Sequence, residues 1–246
     1  QDGVSHVTSG LGSISMEDHK LYFLTDDDIR VANNINNVVI CALQQDTEEP
    51  YTGIISCNLI KSTTGEIKVS EFNCTFSDPS AINILSIMDS DFMEVCIRTV
   101  ESSLKQFDIA CRHEATCVSY GIPIGYPHTK YKDREIIVDQ HDKNDILYGN
   151  VHSYEENDKK ILLGLKAVAV IGRARNLVEA RSKAVSLHKM VHGPLEWRLD
   201  IGNNLISSTA KKMTYESSGV NIDTNTQVVE TIKSFVESTH DDKVIS

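Results

Sequence analysis

The sequence predicts an α+β fold, on the strength of three observations. Residues 54–72 contain two β-rich segments separated by a turn from Thr63 to Glu66, a pattern typical of a β-hairpin. Other segments have apolar residues at helical spacing. Further short, β-rich segments lie between those helical patterns. The predicted helices lie within residues 26–49, 80–104 and 176–192, and the further strands are 115–120, 146–151 and 162–172.

The first predicted helix follows Thr25, whose side chain can cap it. The segment from Asp26 to Asp28 occupies the first turn, where the helix dipole favours anions. The three acids also resemble a metal cluster. Because consecutive helical residues point in different directions, helix-start chemistry is the preferred interpretation.

Ser80 to Leu104 is predicted as one continuous helix, with Met88, Phe92 and Met93 as core residues. The strand from Ala115 to Tyr120 then leads into a loop rich in glycine and proline. Four basic residues lie near the start of the last predicted helix. We interpret them as a solvated helix face, with an anion site as the alternative. They are Arg173, Arg175, Arg181 and Lys183.

The charge balance limits the partners. The chain of 246 residues has 24 basic and 35 acidic residues and a formal charge of −11, so its net charge repels nucleic acid and anionic membranes. No apolar run approaches the roughly 18 residues that a membrane span needs, and no signal sequence opens the chain. A cytoplasmic protein without nucleic-acid or membrane partners is the expectation.

Six cysteines are scattered without a CxxC pair or zinc-ligand spacing. Most lie in apolar segments, which predicts buried free thiols in a reducing compartment. They are Cys41, Cys57, Cys74, Cys96, Cys111 and Cys117.

The end of the hairpin offers two oxygen donors. Glu71 and Asn73 are two residues apart on a predicted strand and therefore point to the same face. Hard cations such as Mg²⁺ bind through one or two such oxygens and keep positions for water and phosphate. The alternative is a polar strand end followed by the Asp78-Pro79 turn.

The start of the chain contains small residues with two glycines, Gly10 and Gly12, after Ser9. Backbone N–H groups in such a loop can hold phosphate. An ordinary turn is the alternative interpretation.

Several segments, taken in order, resemble motifs of one enzyme family. That family is glycinamide ribonucleotide synthetase, also called phosphoribosylamine–glycine ligase, an ATP-grasp ligase of de novo purine synthesis. The resemblance covers residues 1–204. The matching segments are V-T-S-G-L-G-S, Y-T-G-I-I-S-C-N-L, S-E-F-N-C-T-F-S-D-P, Y-G-I-P-I-G-Y-P, L-L-G-L-K-A-V-A-V-I-G-R-A-R-N-L-V-E-A-R-S-K-A and L-E-W-R-L-D-I-G.

The resemblance implies a domain arrangement. Residues 1–110 would be the second half of an ATP-grasp domain, a partial core of mixed or antiparallel sheet with helices. Residues 111–204 would form a small C-terminal α/β domain. Residues 205–246 resemble the start of aminoimidazole ribonucleotide synthetase, through the segment M-T-Y-E-S-S-G-V-N-I.

The family joins glycine to phosphoribosylamine through an acyl phosphate made with ATP. By the match, Glu71 and Asn73 would hold the Mg²⁺ or Mn²⁺ that bridges the ATP phosphates, and no catalytic residue is assigned. Weaker matches suggest nucleotide- or substrate-binding residues. These are Ser9, Gly10, Gly12, Asp78, Pro79, Lys166 and Asp200.

The chain also departs from the family pattern. Thr75 stands where the family has arginine, Ser77 replaces glycine, Ser80 replaces glutamate, and Lys166 replaces arginine. The resemblance lacks the family's N-terminal part. We therefore expect a divergent, truncated ligase relative that is inactive alone and has the missing ligase half or other purine-synthesis domains as partners. The alternative is a non-catalytic binding or structural protein with the ligase fold.

Overall fold

The computed structural model describes residues 10–45, 51–126, 133–139, 145–154 and 159–207. The chain divides into two compact units, Gln1–Gly202 and Asn203–Ser246. In the second unit, residues 203–207 are helical. The predicted domain boundaries near residues 110 and 204 remain predictions, and all features below belong to the first unit.

The described part of the first unit contains helices, strands and one short 3₁₀ turn, Leu104–Gln106. The α-helices are α1 (Asp26–Gln45), α2 (Ser80–Ile87), α3 (Phe92–Val100) and α4 (Leu177–His188). The strands are β1 (Gly12–Ser15), β2 (Ser56–Lys61), β3 (Ile67–Asn73), β4 (Ala115–Pro123), β5 (Glu135–Val138), β6 (Ile146–Tyr148), β7 (Val151–Tyr154), β8 (Lys159–Leu162), β9 (Val168–Ala174), β10 (Val191–His192) and β11 (Leu195–Trp197).

The strands form three sheets, and every strand pair in the described residues is antiparallel. The largest sheet has the order β1-β4-β9-β6, with β11 also paired to β4. A second sheet has the order β10-β5-β8-β7, and β2 and β3 form the predicted hairpin. Helices combined with antiparallel sheets confirm the predicted α+β class.

The core lies on both faces of the central strand pair, β4 and β9. Every residue of β4 is buried, as expected for a strand covered on two sides. One face packs under α2, through a cluster that also includes the half-buried Ile82 and Tyr126. The opposite face packs against α4. The buried cluster under α2 is Leu11, Val118, Tyr120, Ile122, Ala169 and Ile171.

A buried polar contact joins α2 to the sheet. Asn83, which is 3% exposed, donates from its amide nitrogen to Ser13 Oγ. Its amide oxygen accepts a hydrogen bond from Thr116 Oγ1 over 2.7 Å. Because buried amides are stable only when their polar atoms have partners, this network fixes where α2 lies on the sheet.

The start of α1 confirms the helix-start interpretation of the acidic triplet. Thr25 Oγ1 accepts from the backbone N–H of Asp28 over 3.2 Å, and the Asp28 carboxylate accepts from the backbone N–H of Thr25 over 2.7 Å. This reciprocal arrangement is a capping box. The hydrogen bond from Lys61 Nζ, over 2.6 Å, and those from Thr25 lower the pKa of Asp28 to about 2. None of the α1 residues is buried, so this contact ties the helix to the hairpin.

The prediction of one helix from Ser80 to Leu104 is wrong, because the chain leaves helical geometry after Ile87. Met88 forms an antiparallel bridge with Cys111. Asp91 then caps α3 by accepting from the backbone N–H of Met93 over 2.8 Å. Phe92 and Met93 are 38% and 66% exposed, so their assignment to the core is also wrong.

The last predicted helix is shorter than expected, since α4 ends at His188 and residues 191–192 form β10. Three of the four basic residues near its start contact other parts of the protein. Arg173 pairs with Asp145, and Lys183 Nζ donates to the carbonyl of Arg173 over 2.9 Å. Arg181 donates to backbone carbonyls in the segment 199–201. These contacts support a structural role for Arg173, Arg181 and Lys183.

The six cysteines are free, as predicted. Only Cys117 is buried, and burial raises the pKa of its thiol to about 11. The prediction that most are buried is wrong, because α1, β2 and α3, which carry three of the other five, contain no buried residue. Cys41 and Cys74 are exposed, and Cys57, Cys96 and Cys111 are half-buried.

None of the helices in the described residues is both long and apolar enough to cross a bilayer.

Gly172 on β9 allows α4 to approach the sheet closely, and its replacement tests this contact. A Cβ at Gly172 would lie 1.9 Å from the carbonyl oxygen of Ala180 and 2.7 Å from the backbone nitrogen of Ala184. Gly172→Ala should therefore destabilise the protein by about 3 kcal/mol or more, since backbone must move. Thermal unfolding measures the effect. Gly164→Ala is the control, because its Cβ would lie 3.7 Å from the nearest atom. An equal effect of the two changes would contradict the packing argument.

His188 predicts a loss of stability in acid. Its ring stacks on Trp197 with 4.1 Å between ring centroids, and both ring nitrogens are buried without a hydrogen-bond partner in the described structure. Burial, with the positive charge of Arg181, lowers the pKa of His188 to about 4. The unfolded imidazole, with a pKa of about 6.5, takes up its proton first as pH falls. The contribution of neutral His188 to the free energy of unfolding is thus complete above about pH 6.5. It falls by up to about 3 kcal/mol as the pH decreases towards 4.

Urea unfolding followed by fluorescence of Trp197, the single tryptophan, measures this effect between pH 4 and 7. His188→Gln should flatten the acid-side fall. If His188→Gln retains the full pH dependence, other groups cause the effect.

Candidate functional site

A polar cavity of about 430 Å³ lies where the hairpin, the segment after it and residues 10–12 meet. It brings together almost all of the residues that the sequence singled out. The predicted site residues that line it are Gly10, Gly12, Glu71, Asn73, Asp78, Pro79 and Lys166. The remaining lining residues are Asn58, Thr75, Phe76, Ser77 and Ser80.

Two predicted residues are not among the described residues that line this cavity. Ser9 lies outside the described residues. Asp200 accepts two hydrogen bonds from the guanidinium of Arg198, over 2.8 and 3.1 Å, and this pairing lowers the pKa of Asp200. Asp200 therefore has a local structural partner.

The register of the hairpin turns Glu71 and Asn73 towards the cavity. Asn73 pairs with Ser56, and Glu71 pairs with Asn58. The pairing then shifts by one residue, a β-bulge that leaves an extra residue on β3. Beyond the bulge the strand keeps its alternation, so the two side chains share one face.

Asn58 completes this face. Its amide nitrogen donates to Glu71 Oε1 over 2.6 Å. The side chains of Glu71 and Asn73 also bring Glu71 Oε2 and the amide oxygen of Asn73 to the cavity lining, and both atoms can coordinate a metal ion. No sequence pattern marks Asn58 as a site residue, because its contact with Glu71 depends on the bulged register.

The donor set fits a hard divalent cation. A carboxylate and an amide oxygen on one strand face are ligands that Mg²⁺ and Mn²⁺ accept, with water and phosphate oxygens in the other positions. Across the described residues, no group of three or more His, Cys, Asp or Glu side chains could hold a metal ion. The arrangement therefore suits a metal shared with a ligand better than a closed structural site.

The cation of the cavity is Lys166, the one positively charged side chain among its described lining residues. Its Nζ lies 2.6 Å from Asp78 Oδ2 and 4.9 Å from the centroid of the Tyr120 ring. The hydroxyl of Tyr120 donates to Asp78 Oδ1 over 2.7 Å. Each carboxylate oxygen of Asp78 therefore has one partner.

Tyr120 was not predicted as part of the site. It lies in β4, whose residues are all buried, and is 8% exposed, so its sequence position resembles that of any core residue. Burial, together with the hydrogen bond to Asp78, raises the pKa of Tyr120. Its hydroxyl therefore remains protonated.

Gly10 closes one side of the cavity. Its φ of +76° favours glycine, and a Cβ there would lie 3.0 Å from Lys166 Nζ and 3.1 Å from the carbonyl oxygen of Asp78. Gly12 is required for packing, since its Cβ would lie 2.0 Å from Ile201 Cδ1. Glycine is thus favoured at position 10 by its backbone conformation and at position 12 by side-chain packing.

A larger cavity, about 650 Å³, lies between α2 and the sheet. It includes none of the predicted site residues. Its Arg112 donates to Glu114 over 2.9 Å and to the carbonyl of Ser86 over 2.6 Å. These bonds connect the end of α2 to β4 and indicate a structural role for the arginine.

Comparison with known proteins identifies the relatives. The phosphoribosylamine–glycine ligase of Methanocaldococcus jannaschii is 34% identical over 210 residues, which are 84% of this chain and 47% of that protein. The chain is a homologue of the phosphoribosylamine–glycine ligases. It spans about half the length of the curated relatives that it matches. No family model matches the chain.

Solved structures of phosphoribosylamine–glycine ligases have the same fold. The Thermotoga maritima phosphoribosylamine–glycine ligase superposes with a TM-score of 0.69 at 20% identity, covering 81% of this chain and 48% of that one. The phosphoribosylglycinamide synthetase of Anaerococcus prevotii gives 0.52 at 14% identity, over 80% of this chain and 48% of that one. The predicted α+β fold, shared with these ligase structures, is confirmed.

The residues that depart from the ligase motif lie in the same cavity. Thr75, Ser77 and Ser80 all line it, and Ser56 Oγ donates to the carbonyl of Thr75 over 2.7 Å. The expected arginine and glutamate are thus both replaced by hydroxyl side chains. Because one positive and one negative charge are lost together, the net charge of the cavity matches that of the expected motif.

Proposed function

We propose that this chain forms the metal- and phosphate-binding face of an ATP-dependent phosphoribosylamine–glycine ligase. The observation that supports it is the convergence of Glu71, Asn73, Asp78 and Lys166 on one cavity. The ligase homologues supply the reaction class, since the chain is 34% identical to one of them. ATP, glycine and phosphoribosylamine are the proposed substrates.

The proposed reaction joins a carboxylate to an amine. ATP transfers its terminal phosphoryl group to the glycine carboxylate, and the amine of phosphoribosylamine displaces phosphate from the acyl phosphate. Glu71 and Asn73 would hold the Mg²⁺ or Mn²⁺, which supplies positive charge to the phosphate oxygens when bound. Lys166 contributes a further positive charge to the cavity lining, beside Gly10.

Turnover needs more than this face. Apart from glycines, the apolar residues in the described lining are Phe76 and Pro79, which do not form a slot for a purine base. Ligation also requires that water be kept from the acyl phosphate. We therefore propose that the chain acts with the remaining part of a ligase or with other purine-synthesis domains. Its free cysteines support a reducing, cytoplasmic setting.

Metal-dependent nucleotide binding tests the proposed site. Titration calorimetry should detect ATP binding in the presence of Mg²⁺ and weaker binding with EDTA. Glu71→Gln should weaken binding by roughly ten-fold or more, because it removes the charged oxygen ligand. Glu66→Gln, in the turn of the same hairpin, is the matched control, since Glu66 pairs with Lys68 and is exposed. Equal effects of both changes would contradict the assignment of Glu71.

A second candidate is a non-catalytic binding or structural protein that keeps the ligase fold. The hydroxyl residues Thr75, Ser77 and Ser80 favour it, because threonine and serine lack the charge and reach of the expected arginine and glutamate. A stable fold that binds no MgATP would support this candidate over the first.

The chain alone should not release ADP from ATP in the presence of glycine and phosphoribosylamine. The physical reason is the open, polar cavity, which neither excludes water nor surrounds the nucleotide. A coupled ADP-release assay, with analysis for glycinamide ribonucleotide, measures this. Appreciable product from the purified chain would refute the expectation.

A further inference from the structure

Tyr120 connects the apolar core to the polar cavity. Its backbone N–H donates to the carbonyl of Leu11 over 2.9 Å, and its ring belongs to the buried cluster under α2. The hydroxyl leaves this cluster and donates to Asp78 Oδ1 over 2.7 Å. Because the ring is held in the core and the hydroxyl has a single strong acceptor, the hydroxyl is restricted to one orientation.

We propose that Tyr120 is a positioning residue of the site, which orients the Asp78 carboxylate and, through it, directs the Lys166 ammonium towards phosphoryl groups in the cavity. The identity of the ligand rests on the function proposed above. The positioning itself rests on the contacts among these three side chains. It is a role in addition to metal binding by the hairpin.

The ammonium of Lys166 is restrained on several sides. Asp78 Oδ2 accepts from Nζ over 2.6 Å, the Tyr120 ring lies 4.9 Å away, and Gly10 approaches it where no Cβ could fit without displacement. The base of the side chain is also fixed, because the Lys166 carbonyl accepts from the backbone N–H of Asn150 over 2.8 Å. The remaining side of the Lys166 ammonium faces the cavity.

The Tyr120 hydroxyl also changes the electrostatics of the ion pair. By donating to one carboxylate oxygen, it takes up part of the hydrogen-bonding capacity of Asp78 and holds the other oxygen towards Lys166. An ammonium has three donors, and the carboxylate occupies one. The others can bind a tetrahedral oxyanion. Without the hydroxyl, the carboxylate would turn and pair with Lys166 in several geometries.

The order of the Lys166 head group tests this directly. NMR relaxation of the lysine ¹³Cε–¹⁵Nζ group, with Lys166→Gln for assignment, should show a restrained ammonium in the wild-type chain. Tyr120→Phe retains the ring but removes the donor, and it should increase the motion of Lys166. Tyr126→Phe is the control, because Tyr126 packs against the same cluster and does not line the cavity. Unchanged order in Tyr120→Phe would overturn the proposal.

Asp78→Asn provides a second variant should Tyr120→Phe fail to fold. The Asp78 side chain is 51% exposed, so its replacement leaves the core intact. It removes the charge through which Tyr120 acts, and it should release Lys166 in the same NMR measurement. A Lys166 that stays restrained in Asp78→Asn would also overturn the proposal.

A double-mutant cycle separates positioning from general destabilisation. Tyr120→Phe should weaken MgATP binding about five-fold, as expected for one hydrogen bond. In the Lys166→Gln background it should have no further effect, because the group that it positions is absent. Additive effects would refute positioning through Lys166. If the wild-type chain binds no MgATP, the proposed function fails, and the NMR comparison still decides the role of Tyr120.

Discussion

The close contact between α4 and β9 is the constraint on which the rest of the first unit depends. At Gly172 the helix backbone lies where any side chain would be, with the Ala180 carbonyl 1.9 Å from an added Cβ. Small residues on both elements allow this approach, and it buries one face of the β4–β9 pair. With α2 on the other face, the two strands are enclosed. Tyr120 and Lys166 lie on or beside these strands, so their positions follow from this packing.

The site combines elements of different character. Lys166, Asp78 and Tyr120 are connected to the buried sheet through backbone and side-chain contacts. Glu71 and Asn73 lie on a two-stranded hairpin, and the neighbouring helix α1 has no buried residue. The positive charge of Lys166 is therefore held next to the core, whereas the proposed metal ligands lie on a more peripheral element. A phosphate ligand with its metal would contact both.

The sequence was sufficient where the decisive interactions are local. The hairpin follows from its turn and its alternation, and the capping box of α1 follows from Thr25 and Asp28, three residues apart. The break after Ile87 could not be predicted, because apolar residues continue at helical spacing through it. It depends on the bridge between Met88 and Cys111. The role of Tyr120 likewise depends on a residue 42 positions away, and its place in a β-rich segment indicates only a core residue.

The shallow burial of the hairpin has a consequence for how tightly the site can hold a ligand. Elements with few buried side chains open locally at a small fraction of the global unfolding free energy. Glu71 and Asn73 would then be aligned in only part of the population, and apparent affinity falls by that fraction. A partner that covers the exposed side chains of Ile60 and Val69, 58% and 44% exposed, would raise the aligned fraction. Affinity for the nucleotide would thus increase without any new contact to it.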